Sequence, residues 1–222
     1  MFDRIASLIG SEKLDLIRTK SILVIGAGGV GGYVIEGLIR SGIESICVID
    51  FDKIDVTNLN RQIIALSDNI NHDKTDEIRK RCLSINENVK INVINEKITY
   101  GDIPSLELSK YDYVVDAIDD IKVKIELIKY SLDNDINLIS SMGTAKKVHP
   151  ELLSITTLDK TYNDPIARVL RSNLKGYKMN RIKVLSSTEK PMECKNLGSM
   201  IFVPAVAGLL IANYIINDIC GF

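Results

Sequence analysis

A glycine-rich segment that directly follows a short apolar run constrains the fold more than any other feature of the chain. Ser21–Ile25 is apolar and rich in β-branched residues, which is typical of a buried strand. The next residues carry the spacing Gly-x-Gly-x-x-Gly, and apolar residues then recur at helical spacing. A strand, a glycine turn and a helix in this order direct backbone N–H groups at phosphate groups. We therefore predict a phosphate-binding turn formed by Gly26, Gly28, Gly29 and Gly31.

Segments typical of strands and helices alternate through the first two thirds of the chain. Further strands are predicted at 46–50, 91–94, 111–116 and 136–140, with amphipathic helices between them. Alternation of this kind is typical of a parallel sheet covered by helices on both faces. We expect an α/β fold that is Rossmann-like and doubly wound, with a mainly parallel sheet.

The pattern changes after Pro150. Strands are predicted at 152–158 and 182–185, a short basic helix at 164–173, and a closing helix from 202 to about 219. Two strands close together, with only a short helix between them, favour a mixed or antiparallel C-terminal extension of the sheet. The length favours a single domain over 1–222.

Composition limits the possible partners and compartments. Lys and Arg number 28 against 29 Asp and Glu, for a formal charge of −1, so a polyanion has to be met by a local basic patch. The four cysteines are widely spaced and no signal-peptide pattern is present, which predicts a cytoplasmic protein without disulfides or zinc. The apolar stretch 196–217 contains Pro204 and Asn213, and no Lys/Arg cluster follows it; we expect a buried helix and no stable membrane insertion.

The glycine turn alone does not separate two classes of ligand, dinucleotide cofactors such as NAD and the nucleotide ATP. Asp50 ends the second strand, where a carboxylate can bind ribose hydroxyls in either case. The loop after it carries Arg61, and Lys74 stands at a helix start; these cations suit the charge that builds on a leaving pyrophosphate. Asp116 and Asp119 flank the end of the fourth strand and could hold Mg²⁺. The set favours ATP.

These motifs resemble the ubiquitin-activating-enzyme-like superfamily, whose bacterial members ThiF and MoeB adenylate the C-terminal glycine of sulfur-carrier proteins. The resemblance covers positions 4 to about 145, in the segments Gly26–Gly31, Asp50–Asp52, Asn58–Gln62 and Asp116–Asp120. It implies that ATP is the nucleotide and that a carboxylate is adenylated.

The second half is similar to one branch of that superfamily, the tRNA threonylcarbamoyladenosine dehydratases. The segments that carry this similarity are 141–145, 164–171, 186–191 and 198–204. The branch implies ATP-dependent cyclisation of threonylcarbamoyladenosine in tRNA through carboxylate adenylation. It also implies a nucleotide-binding part at 1–145 and a substrate- and tRNA-binding part at 146–222, and hints at a sulfur-relay protein as partner.

The resemblance also implies roles for single residues. Asp50 would hold the ribose, and Asn58, Arg61 and Lys74 the triphosphate. Asp119 would place Mg²⁺. Arg4 matches an N-terminal arginine that reaches the phosphates of a neighbouring subunit, which implies a homodimer and a catalytic role for Arg4 beside Arg61 and Lys74.

Two observations favour tRNA over a sulfur-carrier protein as the substrate. The Cys-x-x-Cys pairs of ThiF and MoeB are absent. The segment 160–183 has seven basic residues and a single acidic residue, Asp164, and this excess of positive charge suits an RNA backbone. Sulfur-carrier adenylation and NAD-dependent oxidoreduction remain the alternatives. Cys194 is interpreted as structural or incidental because cyclisation needs no covalent enzyme intermediate. The residues assigned to tRNA are Arg168, Arg171, Lys175, Lys178 and Arg181.

Overall fold

The computed structural model describes all 222 residues, and strands and helices alternate along most of the chain. The strands are β1 (Ser21–Ile25), β2 (Ser45–Ile49), β3 (Lys90–Ile94), β4 (Tyr113–Asp116), β5 (Leu138–Ser141), β6 (Leu153–Thr157) and β7 (Lys183–Ser187). The α-helices are α1 (Asp3–Ile9), α2 (Ser11–Arg18), α3 (Gly31–Arg40), α4 (Lys74–Ile85), α5 (Ile121–Asp133), α6 (Pro165–Asn173) and α7 (Phe202–Cys220).

All strands form one sheet in the order β3-β2-β1-β4-β5-β7-β6. Every neighbouring pair is parallel except β6 and β7, which are antiparallel. This confirms the Rossmann-like α/β fold and the mixed C-terminal extension. The strand order reverses between β1 and β4, and α/β sheets of this kind bind ligands at the carboxyl ends of the strands beside such a reversal.

Two strands begin two residues later than the sequence pattern predicts. β4 begins at Tyr113 and β5 at Leu138. The N–H of Tyr111 still donates to Leu108 of the preceding turn, and the N–H of Ile136 to Ser131 at the end of α5. These N–H groups bond within the preceding turns and not to a neighbouring strand, so the strands begin only after them.

Helices cover both faces of the sheet. Alternate residues of β1 divide between two hydrophobic clusters: Ile22 and Val24 face α3 and α7, whereas Leu23 and Ile25 face α5. A third cluster joins α5, α6 and β7. This double burial explains why β1 is apolar at every position after Ser21.

The closing helix α7 packs directly on α3, next to the glycine turn. A Cβ atom at Gly208 would lie 2.4 Å from the carbonyl oxygen of Val30, and one at Gly37 would lie 2.8 Å from the Cβ of Ala212. α7 is long and apolar enough to cross a membrane by length and composition. Its residues Val203, Ala207, Ile211 and Ile215 are nevertheless buried in the main cluster.

Candidate active site

A cavity of about 1100 Å³ opens at the carboxyl ends of β1, β2, β4 and β5. Typical ligand pockets have volumes of roughly 300–1,000 Å³, so this cavity has room for a nucleotide and part of a second substrate. Most residues that the sequence assigns to ATP line it together: Gly26, Gly28, Gly29, Asp50, Asn58, Arg61, Lys74 and Asp119.

The glycines of the turn have different roles. Gly26 has φ of +93°, and a Cβ there would lie 2.7 Å from the carbonyl oxygen of Ala117. A Cβ at Gly31 would lie 1.8 Å from the carbonyl oxygen of Gly26, so Gly31 permits the turn without lining the cavity. Gly28 meets only the Gln62 side chain, at 3.8 Å. The backbone at Gly28 is therefore open to a ligand, as the phosphate-binding interpretation requires.

The carboxylate of Asp50 connects the glycine turn to the segment after β2. Its Oδ2 accepts a hydrogen bond from the N–H of Ala27 at 2.7 Å, and its Oδ1 accepts one from the N–H of Asp52 at 2.8 Å. Each oxygen has a second lone pair, so ribose hydroxyls can still bind. Asp50 therefore fixes the shape of the turn in addition to the ribose role predicted for it.

A short capped turn places Asn58 and Arg61 in the cavity wall. Asp55 caps it by accepting from the N–H and hydroxyl of Thr57 at 2.8 and 2.6 Å, and these hydrogen bonds lower the pKa of the Asp55 carboxyl. Asn58 is buried and accepts from the N–H of Asp55 at 3.1 Å. Arg61 has no carboxylate partner; its guanidinium donates to the carbonyl of Thr57 at 2.6 Å and to Asn60 at 3.0 Å. The positive charge of Arg61 is thus free for an anionic ligand.

Lys74 lies at the first position of α4, with only 4% of its surface exposed. Its ammonium donates to Oδ2 of Asp52 at 2.7 Å, and its backbone N–H donates to the carbonyl of Asp52 at 3.0 Å. Asp52 is half exposed at the cavity edge. The pair holds the ammonium at the cavity, a contact that sequence reasoning missed although Asp52 belongs to one of the recognised motifs.

The two aspartates near the end of β4 do not share one site. Asp119 is exposed, lines the cavity and has no basic partner, whereas Asp120 caps α5. Asp116 is fully buried and accepts from the ammonium of Lys124 at 2.7 Å and from the hydroxyl of Ser140 at 2.6 Å. The expectation that Asp116 binds Mg²⁺ is therefore wrong, because its carboxylate is neutralised inside the protein. No group of three or more His, Cys, Asp or Glu residues forms a metal site.

The opposite wall of the cavity comes from the segment 141–145 and from 197–199. Lys146 joins the two: its N–H donates to Gly198 at 2.8 Å, its carbonyl accepts from Met192 at 2.7 Å and its ammonium donates to Cys194 at 2.9 Å. On the glycine side, Asn60 donates to the carbonyl of Ser199 at 2.9 Å. The segment before α7 is thus tied to both sides of the cavity.

A buried ion pair lies behind this second wall. The ammonium of Lys147 donates to Oδ2 of Asp164 at 2.8 Å and to the carbonyl of Gly143 at 2.7 Å. The other oxygen of Asp164 accepts from the N–H of Ala167, so Asp164 is the N-cap of α6. Nothing in the sequence pattern pairs Lys147 with Asp164, so this connection between α6 and the cavity was not predicted.

The basic segment divides into free and paired charges. Arg168, Lys175 and Lys178 are exposed and have no carboxylate partner. Arg171 donates to the hydroxyl and carbonyl of Thr161, and Arg181 pairs with Asp135 at 2.5 Å. Of the five predicted residues, only Arg181 is therefore paired with a carboxylate; Arg171 is held by the neutral Thr161, and the other three side chains have no partner.

Two other residues singled out in the sequence, Arg4 and Cys194, lie away from the cavity wall, and so does His149. Arg4 is exposed on α1, Cys194 is exposed in the segment before α7, and His149 pairs with Glu151 at 2.8 Å at the surface. All four cysteines are free.

Known proteins resemble this chain over most of its length. The chain is 36% identical to the tRNA threonylcarbamoyladenosine dehydratase of Bacillus subtilis, over 98% of this chain and 94% of the relative. It is 38% identical to the Escherichia coli protein of the same name over 78% of this chain, an alignment that spans 65% of that relative.

Solved structures agree with the sequence relatives. The E. coli tRNA N6-threonylcarbamoyladenosine dehydratase, TcdA, in complex with AMP superposes with a TM-score of 0.94 at 32% identity, covering 99% of this chain and 94% of that chain. Its complex with ATP gives the same TM-score and identity, with 99% and 93% covered. The model of the ThiF family matches residues 2–222, and the protein belongs to the ThiF family.

Proposed function

We propose that this protein catalyses the ATP-dependent dehydration of threonylcarbamoyladenosine in tRNA, through adenylation of the threonyl carboxylate. The observation that carries the proposal is the match of nearly the whole chain, at a TM-score of 0.94, to a tRNA threonylcarbamoyladenosine dehydratase in complex with ATP. The cavity supports it, because a glycine turn, a free arginine and a buried lysine line one wall while a second wall leaves space for another substrate.

The reaction has two steps. A threonyl carboxylate oxygen attacks the α-phosphorus of ATP, and the bond to pyrophosphate breaks as the acyl-adenylate forms. A nitrogen or oxygen of the carbamoyl group then attacks the acyl carbon, its proton is lost, and AMP leaves as a five-membered ring closes. The nucleophile and the acyl group belong to one nucleoside, so correct positioning supplies much of the acceleration.

The residues of the first wall bind and orient ATP in this proposal. Asp50 holds the ribose, and the open backbone at Gly28 faces the phosphates. Arg61 and Lys74 stabilise the negative charge that builds on the leaving pyrophosphate, the kind of electrostatic contribution that dominates phosphoryl and acyl transfer. Asn58, buried and fixed by the Asp55 N–H, directs its amide at the same phosphates.

We assign Mg²⁺ binding to Asp119. Mg²⁺ is usually held by one or two carboxylates together with substrate phosphates, and Asp119 is an exposed carboxylate at the cavity without a basic partner. This donor set fits the ion. When bound, Mg²⁺ neutralises charge on the phosphates, while Asp119 supplies the protein ligand.

The basic surface on and after α6 binds the tRNA backbone in this proposal. Arg168, Lys175 and Lys178 offer free charges, and α6 is joined to the cavity wall through Asp164. Arg171 and Arg181 would exchange their present partners for phosphates. The reaction is proposed to take place in the cytoplasm, where tRNA and ATP are both present.

We further propose a homodimer in which Arg4 serves the cavity of the neighbouring subunit. Its support is that Arg4 is exposed on α1 and does not line the cavity of its own chain. In the test, the Arg4→Ala and Arg61→Ala proteins are co-expressed in the same cells, and the mixed dimers are purified. A mixed dimer contains one complete site, so activity returns above that of either variant alone; no recovery excludes a role for Arg4 across the subunits.

The reaction itself is tested by incubating the protein with ATP, Mg²⁺ and tRNA that bears threonylcarbamoyladenosine. Mass spectrometry of the nucleosides should show the loss of one water, with AMP and pyrophosphate formed in step. Pyrophosphate exchange that depends on a diglycine-tailed protein and not on tRNA would instead indicate sulfur-carrier adenylation. A sulfur-relay partner rests on resemblance alone, and co-purification from cells with the tagged protein tests it.

A further inference from the structure

Three consecutive backbone N–H groups in the second wall of the cavity have no acceptor within the chain. They belong to Gly143, Thr144 and Ala145, all of which are half-buried and line the cavity. On either side, the N–H of Met142 donates to Leu185 at 2.9 Å and the N–H of Lys146 to Gly198 at 2.8 Å. Backbone donors need an acceptor, from the protein, a ligand or water, so a run of donors without a protein partner at the cavity is available to a ligand with acceptor atoms.

The buried lysine behind the wall sets the direction of the central donor. The carbonyl of Gly143 accepts from the ammonium of Lys147 at 2.7 Å, on the side of the buried pair with Asp164. The chain contains no cis peptide bond, and in a planar trans peptide the N–H points opposite to the C=O. The N–H of Thr144 therefore points away from the Lys147–Asp164 pair, toward the cavity that Thr144 lines.

We propose that the N–H of Thr144, oriented by Lys147, donates a hydrogen bond to the carboxylate of the substrate and to the oxyanion that forms from it. This inference rests on the proposed function. The carboxylate oxygen that does not attack ATP becomes the carbonyl oxygen of the acyl-adenylate, and it becomes an oxyanion when the carbamoyl group attacks the acyl carbon. Preorganised backbone donors are the usual stabilisers of such a charge. Lys147 is then a positioning residue, since its ammonium contacts the Gly143 carbonyl and not the substrate.

The position of the donors agrees with this assignment. They follow β5, which β1 and β4 separate from β2, the strand that precedes Arg61 and Lys74, so a carboxylate held there lies on the α6 side of the nucleotide. The same Asp164 that pairs with Lys147 also caps α6. One buried carboxylate thus connects the proposed tRNA surface to the group that orients the oxyanion donor.

The decisive test compares Thr144→Ala with Thr144→lactate, introduced by nonsense suppression, because the two differ only in an ester oxygen that replaces the N–H. The ester should lower kcat on threonylcarbamoyladenosine tRNA by about 10²-fold relative to the alanine variant, and leave the Kd for a non-hydrolysable ATP analogue within twofold. Its thermal unfolding temperature should fall only slightly, because that N–H has no partner in the fold and the ester weakens only the Gly143 carbonyl as acceptor for Lys147. Equal kcat values for ester and amide, or an ester that unfolds much earlier, overturn the proposal.

A second pair of variants tests the positioning role of Lys147. Lys147→Met leaves Asp164 buried without its partner and is strongly destabilised, whereas Lys147→Met/Asp164→Asn removes both charges and keeps a good cap for α6. The double variant should fold and bind the ATP analogue normally, yet lose at least about tenfold in kcat, with KM for tRNA changed less. A double variant with kcat within twofold of wild type overturns the role. An inactive wild-type protein would instead contradict the proposed function and this inference with it.

Discussion

The charges of the cavity and those of the basic segment are held in opposite ways. Around the cavity, three lysines are paired with aspartates, Lys74 with Asp52, Lys124 with Asp116 and Lys147 with Asp164, and the last two pairs are almost fully removed from solvent. Arg61 has no carboxylate partner and is held by hydrogen bonds to neutral groups of its own turn. On the basic segment, Lys175 and Lys178 extend into solvent without partners.

This difference matches two kinds of work. Fixed charges in a water-poor site stabilise a transition state without reorganising when the reaction occurs. Mobile surface charges contribute to affinity for a polyanion mainly by releasing counterions, an effect that depends on salt and little on geometry. The comparison predicts that substitutions at the cavity change turnover or stability, whereas substitutions on the basic segment change tRNA affinity.

Arg61→Ala should show the largest effect, a fall in kcat of about 10³-fold, since an arginine at transferring phosphates contributes about 10³ or more. Folding should be little affected because Arg61 is only half-buried and makes no ion pair. Arg79→Ala is the matched control, since Arg79 is an exposed arginine on α4 without a partner. A loss confined to KM for tRNA would contradict the comparison.

Lys124→Met should lower the free energy of unfolding by about 3–5 kcal/mol, because it leaves the carboxylate of Asp116 buried without a cation. Lys110→Met removes an equally direct ion pair with Glu107, but both of those side chains are exposed, and the expected loss is at most about 1 kcal/mol. Urea unfolding of the two variants measures the contrast. Similar losses would show that burial does not increase the contribution of the Lys124–Asp116 pair to the free energy of unfolding.

Much of the first wall could be predicted because its requirements are local. Gly26 and Gly31 are needed by a turn that a side chain would block, and Asp50 follows its strand directly. Periodicity also located every strand of the sheet. The beginnings of β4 and β5 were misplaced because apolar residues in the preceding turns look the same as strand residues until their hydrogen bonds are known.

The ion pairs behind the second wall could not be predicted because they depend on how helices pack against the sheet. Lys124 meets Asp116 only when α5 packs beside β4 and β5, and Lys147 reaches Asp164 only after β6 has been added to the sheet. An aspartate next to a ligand site looks equally suitable for Mg²⁺ in sequence whether it is exposed, as at Asp119, or neutralised, as at Asp116. Burial decides between the two, and only the fold reveals burial.

Lys178→Ala should weaken tRNA binding severalfold and leave kcat at saturating tRNA unchanged. One phosphate contact fewer reduces the slope of log K against log salt by about one. Titrations of tRNA at several salt concentrations measure that slope, with Lys129→Ala on α5 as a control outside the segment. A fall in kcat without a change in slope would place Lys178 with the fixed charges of the cavity instead.

Glu77→Gln should show the smallest effect. It tests a charge that hydrogen bonds hold in place on α4, the helix that begins at Lys74. Burial raises the pKa of Glu77, but hydrogen bonds from Lys80, His72 and Asn69 outweigh it and lower the pKa from 4.5 to about 2. A carboxyl with a depressed pKa stabilises the folded state above its unfolded pKa, and this stabilisation is lost as the pH falls through the folded pKa. The wild type should therefore exceed Glu77→Gln in Tm by a few degrees at pH 6 to 7, on the order of 2–4 °C for each kcal/mol, and the gap should close as the pH falls from about 4.5 towards 2. Glu126→Gln, at an exposed pair 4.0 Å apart, should change Tm little throughout; a Glu77→Gln protein with the same flat profile would show that this charge is no more fixed than those of the basic segment.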